Sequence, residues 1–330
     1  VSAGPWVVES YRPGERVVLK RNPYFGEWNK DEAGNPLPYL DRYEIRIVKD
    51  VNAALAEFLA GNIDIFNPST VDHISQIRQA VQQGRLDATI KVNASPVASS
   101  QFMVFNWNKA SDPFKQSLFR SDKFRRAMSH LVNRQAVIDI VYGGLGTPMY
   151  SSVYPVLTQW INPKVPKYEY DPKQAAKLLA ELGFTKKDRE GYLVDSKGRR
   201  IEFNLATNAG NTQREQIAKL IVDEAKKVGV KVNFQAIDFN TLVGQLLSSG
   251  PDRPFDAIII GLTGGGLDWP FGSNVVPCKG NLHMWNKSGQ CLDPRETLME
   301  KLYYQGRTEL DFKKRVEIGY RMQAVEAELL

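Results

Sequence analysis

The clearest pattern of hydrophobic and polar positions lies in the second half of the chain. Apolar residues occupy every second position in Ile201–Leu205 and in Val230–Phe234, which is the period of a β-strand with one covered face. Between these runs, Ile217–Val228 carries apolar residues at helical spacing, and a shorter helix begins at Asn240. Phe255–Ile260 is almost continuously apolar, as expected of a strand covered on both faces. The pattern predicts a strand–helix–strand–helix–strand unit, and hence an α/β fold with a parallel sheet flanked by helices.

Residues that start and stop helices support this reading. Thr212-x-x-Glu215 has the form of a capping box with Thr212 as the N-cap. Gly229 follows the last apolar position of the same helix and would end it.

The first half of the chain contains further strand signals. Pro13 and Gly14 separate two alternating runs and predict a hairpin with a type II turn. Alternation also predicts strands at Leu86–Val92 and at Gln101–Trp107.

The loops that follow the first and third strands of the central unit form the predicted binding region. In such sheets, ligands bind beyond the carboxyl ends of the strands. The first loop precedes a helix N-terminus, a place that suits an anionic group, and its candidate contacts are Thr207, Asn208 and Asn211. The second loop combines glycines, an acid and an indole, and its candidate contacts are Gly265, Asp268 and Trp269.

Length and charge exclude some classes of protein. The chain has 330 residues, of which 42% are hydrophobic and 24% charged, as in ordinary soluble globular proteins with room for two domains. The formal net charge of +6 is spread along the chain, so we expect a solvated surface and no nucleic-acid binding. No apolar run approaches the ~18 residues of a membrane span, and no signal peptide opens the chain at Val1. We therefore expect either a cytosolic protein or a processed or trimmed part of a longer one.

The two cysteines, Cys278 and Cys291, lie in one loop rich in Gly, Asn and Lys. Such a local pair suggests a disulfide, worth roughly 3 kcal/mol in the chain-entropy model, and it would imply an oxidising compartment. Two free thiols and a metal site are the alternatives. The histidines His73, His130 and His283 are scattered without ligand partners one helical turn away, so neither a metal nor another cofactor is predicted.

Enzyme motifs are weak. The glycines that follow Gly261 lead to Trp269 and Pro270 rather than into a helix, which is not the context of a dinucleotide-binding loop. Three scattered histidines give no Ser-His-Asp arrangement. An α/β hydrolase is kept as the alternative of another class, and turnover of a substrate would distinguish it from a receptor.

Short motifs recur in a characteristic order along nearly the whole chain. They are Gly4-Pro5-Trp6, Tyr11–Tyr24, Pro38–Asp41, Leu59–Asp64, Phe105-Asn106, Phe124–Met128, Asn133–Ile138, Tyr142–Pro148 and Tyr170–Leu179. In this order the chain resembles the family 5 extracellular solute-binding proteins of ABC importers, the group of the dipeptide-, oligopeptide- and nickel-binding proteins. No single motif is specific, but their succession is.

The resemblance implies a periplasmic-binding-protein-like fold of type II, with two lobes that each contain a mixed sheet flanked by helices. By that layout, residues 1–105 belong to lobe I and residues 106–330 to lobe II, whose βαβαβ core lies at 201–261. Members of the family have a long segment before the Gly4-Pro5-Trp6 motif and continue past the position of Leu330. The chain is therefore expected to be a fragment with an incomplete lobe I.

The resemblance also implies a function without catalysis. The protein would be the substrate-binding component of an ABC importer, a monomer that captures a small solute between its lobes and delivers it to a membrane permease. A short peptide is the expected ligand, and an oligosaccharide is the alternative, because six tryptophans could stack on sugars. A chemosensory or redox-partner receptor on the same fold is a further alternative. The implied location is periplasmic or extracellular, and a lipid anchor on the full-length protein is an open question.

Some candidate site residues come from the resemblance. In the peptide-binding relatives, an aspartate after the last strand pairs with the α-ammonium group of the ligand, and Asp268 stands at the similar place. The family's Gly-Asp-Pro-Asp pattern is not intact around it. Trp269 would either stack on the ligand or fill the lobe. Asn106 and Trp107 are further candidates, because the chain is expected to cross between the lobes there.

Overall fold

The computed structural model describes residues 2–68, 70–91, 99–263, 269–270, 272 and 274–329. The chain divides into two compact units, Val1–Phe66 and Asn67–Leu330. Within the described part of the chain, no helix is both long and apolar enough to cross a membrane.

The smaller unit is built on a three-stranded antiparallel sheet. Its strands, in spatial order, are β1 (Trp6–Arg12), β2 (Arg16–Arg21) and β3 (Arg42–Arg46), and it also contains a 3-10 turn at Phe25–Glu27 and helix α1 (Val51–Leu59). At the β1–β2 turn, Glu15 N donates to Arg12 O at 3.1 Å. Gly14 has a φ of 73°, the positive value that a type II turn requires at its third residue. The predicted hairpin is confirmed.

The larger unit alternates helices with the strands of a four-stranded sheet. Its first elements are α2 (Val71–Gln82), β4 (Ser99–Phe105), α3 (Pro113–Arg120), α4 (Asp122–Leu131), α5 (Arg134–Tyr142), a 3-10 turn (Thr158–Trp160) and α6 (Pro172–Glu181). A small hairpin of β5 (Lys186–Lys187) and β6 (Leu193–Val194) follows. The remaining elements are β7 (Glu202–Asn208), α7 (Thr212–Val228), β8 (Lys231–Ile237), α8 (Phe239–Leu247), β9 (Ala257–Thr263), α9 (Pro294–Thr308) and α10 (Phe312–Leu329).

The predicted strand–helix–strand–helix–strand unit is present as β7–α7–β8–α8–β9. The strand order of the sheet is β4-β9-β7-β8, with β7 parallel to both β8 and β9 and with β4 antiparallel to β9. Successive residues of β9 point to opposite faces, where Ile259 belongs to one hydrophobic cluster and Ile258 to another. Helix α7 covers the first face and α8 the second. The strand is thus covered on both faces, as its continuous apolar run predicted.

An aromatic cluster fills the larger core. Four phenylalanines are almost fully buried: Phe105, Phe119, Phe124 and Phe203. The ring centroid of Phe105 lies 5.2 Å from that of Phe124 and 5.3 Å from those of Phe119 and Phe203. They join β4, β7, α3 and α4 into one core.

Three local predictions need correction. The N-cap of α7 is Asn211, not Thr212, because the Asn211 side chain accepts from Arg214 N at 3.0 Å. The N-cap of α8 is Asp238, whose carboxylate accepts from Asn240 N at 2.9 Å, so Asn240 lies inside the helix. Residues 86–91 form no strand. In the first two cases, a side chain one or two positions earlier reaches the free N–H groups first.

The division into compact units does not coincide with the predicted lobe boundary between Phe105 and Asn106. Strand β4, which that boundary assigns to lobe I, pairs along its whole length with β9, from Ser99 opposite Thr263 to Phe105 opposite Ala257. It therefore belongs to the same sheet as the predicted core of lobe II.

The two cysteines form a disulfide. Cys278 and Cys291 are bonded, with a Cα–Cα distance of 5.3 Å, which is usual for a disulfide. Glu300 lies beside the bond and accepts a hydrogen bond from Cys278 N at 3.1 Å. Among the described residues, this is the one cluster of side chains with spacing suited to a metal ion. Its sulfurs are already bonded to each other, so they cannot act as thiolate ligands.

Candidate ligand-binding site

The carboxyl ends of β7 and β9 meet at one edge of the larger sheet. The two strands are parallel, so Asn208 and Thr263, their last residues, lie at the same edge. β4 runs in the opposite direction and begins there, with Gln101 opposite Gly261. Polar side chains from β4, β7 and α7 converge at this edge.

Arg214 on the first turn of α7 is the centre of this polar group. Its Nε donates to Gln101 Oε1 at 2.8 Å, and its Nη1 donates to Asn208 Oδ1 at 2.7 Å. Both acceptors are neutral amides, and no carboxylate of the described residues forms an ion pair with this guanidinium. Burial lowers the pKa of Arg214, and Tyr142 opposes that shift. An arginine still stays charged at neutral pH, so the edge carries a half-buried positive charge that no carboxylate of the described residues neutralises.

A glycine on β9 makes room for this guanidinium. A Cβ atom on Gly261 would lie 2.8 Å from Arg214 Nη2, 2.8 Å from Gln101 Nε2 and 2.6 Å from Ser100 O. The next residue, Leu262, is held through its carbonyl oxygen, which accepts from Tyr154 Oη at 3.0 Å and from Ser100 Oγ at 3.2 Å. The end of β9 is thus fixed next to the charge, at the edge where ligands of such sheets bind.

The structure brings one of the three candidates in the first loop, Asn208, into contact with the guanidinium of Arg214. Asn208 accepts its hydrogen bond directly. Thr207 is fully buried, and its Oγ1 donates to Ile259 O at 2.9 Å. Asn211 uses its side chain to cap α7, and Glu215 Oε1 accepts from Gly210 N at 3.0 Å in the same turn. Thr207 and Asn211 therefore hold the backbone of the edge in place.

Asn106 and Trp107 lie at the opposite edge of the sheet. They follow the end of β4, which is paired with the start of β9. Asn106 is fully buried, and its Nδ2 donates to Phe255 O at 2.7 Å and to Arg253 O at 3.2 Å. The Trp107 ring is buried under the guanidinium of Arg125, 4.7 Å from its centroid. The structure does not bring these two side chains to the edge that carries Arg214.

Trp269 packs in the interior of the larger unit. Its side chain is 1% exposed, and its ring centroid lies 6.3 Å from that of Trp160. Of its two predicted roles, the structure shows the one that fills the interior. Gly265 and Asp268, the other candidates of this loop, lie outside the described residues.

Sequence reasoning missed Arg214, Gln101 and Gly261. One signal for Arg214 was available, because a cation in the first turn of a helix faces the positive end of the helix dipole, where acidic residues are favoured. An arginine there needs another source of stabilisation, which the two amides supply. Gln101 could not be identified in this way, because it reaches the site through a strand pairing that the sequence did not predict.

Comparison with known proteins gives a consistent result. The family described as "Bacterial extracellular solute-binding proteins, family 5 Middle" matches residues 1–280. A "Probable ABC transporter-binding protein" of Deinococcus radiodurans is 52% identical over 337 residues, covering 99% of this chain and 56% of the relative.

Solved structures agree with this match. The oligopeptide-binding protein AppA of Bacillus subtilis in complex with a nonapeptide superimposes with a TM-score of 0.77 at 25% identity, covering 99% of this chain and 58% of that one. A mannohexaose-bound periplasmic oligopeptide-binding protein of Thermotoga maritima has a TM-score of 0.76 at 22% identity, covering 99% and 59%. The chain spans little more than half the length of these proteins. The family match covers most of its residues, and the chain belongs to the bacterial extracellular solute-binding proteins of family 5.

Proposed function

We propose that the chain is part of the substrate-binding component of an ABC importer, that it captures a short peptide, and that it delivers this peptide to a membrane permease. The family membership supports the class of function. The named ligand of the Bacillus subtilis protein, a nonapeptide, supports the choice of peptide. The observation that carries the proposal is the guanidinium of Arg214 at the carboxyl edge of the sheet, which is bonded to two neutral amides and to no carboxylate of the described residues.

A peptide supplies the charges that such a site lacks. Its terminal carboxylate would neutralise Arg214 through charge-assisted hydrogen bonds, which are about twice as strong as neutral ones. Asp268, which follows the end of β9 by a few residues, is the proposed partner of the terminal ammonium group. The site would thus recognise both termini and the backbone of the peptide. It would have little specificity for the side chains of the ligand.

Ligand binding would act by shifting the equilibrium between conformations of the binding protein. The permease would recognise one conformation of the binding protein, and a ligand that binds this conformation more tightly would increase its share. No step of this mechanism needs catalysis, a metal ion or another cofactor. We propose a periplasmic or extracellular location and action as a monomer, with a lipid anchor on the full-length protein left to experiment.

An oligosaccharide is the second candidate, because the Thermotoga maritima protein of the same fold holds mannohexaose. Besides hydrogen bonds to their hydroxyl groups, sugars are commonly bound by stacking on exposed aromatic faces. In the larger unit, Trp285 is half-buried, whereas Trp107, Trp160 and Trp269 are each at most 4% exposed. Their faces are already covered by the protein, and this favours the peptide.

The experiment uses native mass spectrometry of the gene-length protein, purified without denaturation. We expect a series of bound masses that match short peptides. One sharp mass that matches a sugar would instead support the oligosaccharide. A ligand-free protein that also fails to bind trialanine, tetraalanine and pentaalanine in calorimetry would contradict the proposal.

A variant pair makes this experiment specific for Arg214. Arg214→Gln should weaken binding of an alanine peptide at least about tenfold, the effect of losing roughly 1.4 kcal/mol. The same variant should bind the carboxamide form of that peptide about as well as the unmodified protein does. Arg189→Gln, at an exposed position in the β5–β6 turn, is the control and should bind both peptides normally.

A further inference from the structure

The two amides that hold Arg214 are themselves oriented by it. Gln101 Oε1 accepts from Arg214 Nε at 2.8 Å, and Asn208 Oδ1 accepts from Arg214 Nη1 at 2.7 Å. A guanidinium carries N–H donors and no acceptor, so the atom that each amide turns toward it has to be the oxygen. Each amide therefore leaves its NH2 group, which is a donor, for another partner.

These NH2 groups have no partner within the described ranges of the chain. There, Gln101 Nε2 and Asn208 Nδ2 form no hydrogen bond, and neither does Arg214 Nη2. None of the three belongs to the side-chain nitrogens that are buried without a partner, such as Trp269 Nε1. All three nitrogens are therefore open to solvent or to a ligand.

The three donors lie close together. A Cβ atom on Gly261 would stand 2.8 Å from Gln101 Nε2 and 2.8 Å from Arg214 Nη2, so these two nitrogens share one small space beside Gly261. Asn208 is the last residue of β7, the strand next to β9, and it contacts the same guanidinium. Three elements, β4, β7 and α7, thus bring N–H donors to one place, while the amide oxygens are already engaged by Arg214.

Such a set of donors selects the chemistry of its ligand. A carboxylate has two oxygens and only accepts hydrogen bonds, so it can satisfy several of these donors at once. Hydrogen bonds to an ionised acceptor are also about twice as strong as neutral ones. A carboxamide offers one acceptor oxygen, and its own NH2 group would face the donors of the site. An ammonium group, which only donates, would find no acceptor among these three side chains.

We propose that Gln101 and Asn208 are specificity-determining residues, which donate N–H groups to the terminal carboxylate of the ligand beside Arg214. The site thereby selects peptides with a free terminal carboxylate and rejects those whose carboxyl end is an amide. This inference rests on the proposed function, since it takes a peptide as the ligand. It adds to the charge of Arg214 two neutral side chains that contact the ligand directly.

The variant Gln101→Glu tests this contact. One oxygen of the new carboxylate still accepts from Arg214 Nε, while the other stands where the NH2 group was, so a donor to the ligand becomes an acceptor. The gene-length protein is titrated by calorimetry with whichever of trialanine, tetraalanine and pentaalanine it binds most tightly, and with the carboxamide form of that peptide. Relative to the unmodified protein, the variant should bind the free peptide at least about tenfold more weakly and the carboxamide at least about tenfold more tightly.

The gain for the carboxamide separates direct contact from an indirect effect. A carboxylate at position 101 would neutralise Arg214 and weaken binding of the free peptide even if Gln101 did not touch the ligand. The carboxamide, however, gains an acceptor for its NH2 group only where the side chain at position 101 faces it. Tighter binding of the carboxamide is therefore the result that a purely structural role of Gln101 would not produce.

Gln216→Glu is the matched control. It makes the same chemical change on α7, two residues after Arg214, at an exposed position. Residues two apart on a helix do not face the same side, so both affinities should stay unchanged. Asn208→Asp is a second test variant, which should shift the preference in the same direction as Gln101→Glu. It replaces Gln101→Glu if circular dichroism shows that this variant does not fold.

The outcomes are distinct. If the unmodified protein binds no peptide, the proposed function fails, and this inference fails with it. If the unmodified protein binds the free peptide and its carboxamide equally tightly, the amides do not select a carboxylate, although a peptide is still the ligand. If neither Gln101→Glu nor Asn208→Asp binds the carboxamide more tightly than the unmodified protein does, the direct contact alone is overturned.

Discussion

The carboxylate of Glu296 accepts a hydrogen bond from Trp285 Nε1 at 2.6 Å, inside the larger unit. The same carboxylate accepts from Asp293 N at 3.0 Å, and His283 Nε2 lies 2.9 Å from it. Glu296 and His283 are both fully buried. One side chain thus begins α9 and also holds the segment that the disulfide encloses.

We expect Glu296→Ala to be among the most destabilising substitutions in the chain. It would leave several buried donors without an acceptor, and removing one partner from a buried ionic network costs about 3–5 kcal/mol. The free energy of unfolding in urea, measured for the variant and the unmodified protein, checks this. Glu317→Ala is the control, because Glu317 lies within α10 and its side chain is exposed to solvent. It should change the free energy of unfolding by no more than about 0.5 kcal/mol.

Asp256 should make stability depend on pH. Its carboxylate is 3% exposed and contacts Lys115 Nζ at 2.8 Å and Lys109 Nζ at 3.1 Å. Burial by itself would raise the pKa of Asp256, but hydrogen bonds from Lys115 and Asn204 N and the charges of both lysines hold it below the ordinary value. A depressed pKa contributes stability above the unfolded-state value, about 3.9, and this contribution is lost as the pH falls through the lower folded-state value.

Asp256→Asn should therefore destabilise the protein by about 3 kcal/mol at pH 7, and the difference should shrink below about pH 4. Urea unfolding at both pH values checks this. Asp223→Asn removes an exposed carboxylate from α7 and should change stability little at either pH. A pH-independent deficit in Asp256→Asn would mean that packing, and not the charge, is what Asp256 contributes.

The disulfide should stabilise the protein through the loop that it closes. Cys278 and Cys291 are 13 residues apart, and a loop of that size is worth roughly 3 kcal/mol. The double variant Cys278→Ser and Cys291→Ser should lose about 2–3 kcal/mol of unfolding free energy. A reductant should shift the urea midpoint of the unmodified protein toward that of the variant and leave the variant itself unaffected. Equal midpoints with and without reductant would contradict this expectation.

Gly261→Ala should weaken both stability and ligand binding. The added methyl group would press on Ser100 O, which belongs to the backbone, and on the Arg214 guanidinium. Overpacking of this kind costs about 1–3 kcal/mol. Calorimetric unfolding measures the first effect, and titration with an alanine peptide measures the second. Loss of stability with unchanged affinity would show that Arg214 does not need this space to serve the ligand.

The sequence predicted those parts of the fold that depend on neighbouring residues. The β7–α7–β8–α8–β9 unit follows from local periodicity, and the β1–β2 turn follows from Pro13 and Gly14. The N-caps of α7 and α8 were misplaced by one or two residues, because several polar side chains near each helix start are chemically able to cap it.

What the sequence did not predict depends on distant contacts. No local signal pairs β4 with β9, and the lobe boundary predicted between Phe105 and Asn106 does not coincide with the division into compact units. Likewise, the ring of Trp269 fits in the interior because Gly306 and Gly319, on the helices α9 and α10, have no side chain in the space that it occupies. These two glycines come much later in the chain. The positive charge at the binding edge could not be predicted, because Arg214 is held there by hydrogen bonds to Gln101 and Asn208, which belong to two different strands.

The pairing of β4 with β9 has a consequence during synthesis of the protein. Ser100 and Leu262, which are joined by a hydrogen bond between the two strands, are 162 residues apart. A ribosome adds about 5–20 residues per second, so β4 leaves it roughly 8–30 s before its partner exists. In that interval the apolar side chains of Phe102, Val104 and Phe105 have no sheet to join. The nascent chain should be a client of chaperones from the emergence of β4 until β9 follows.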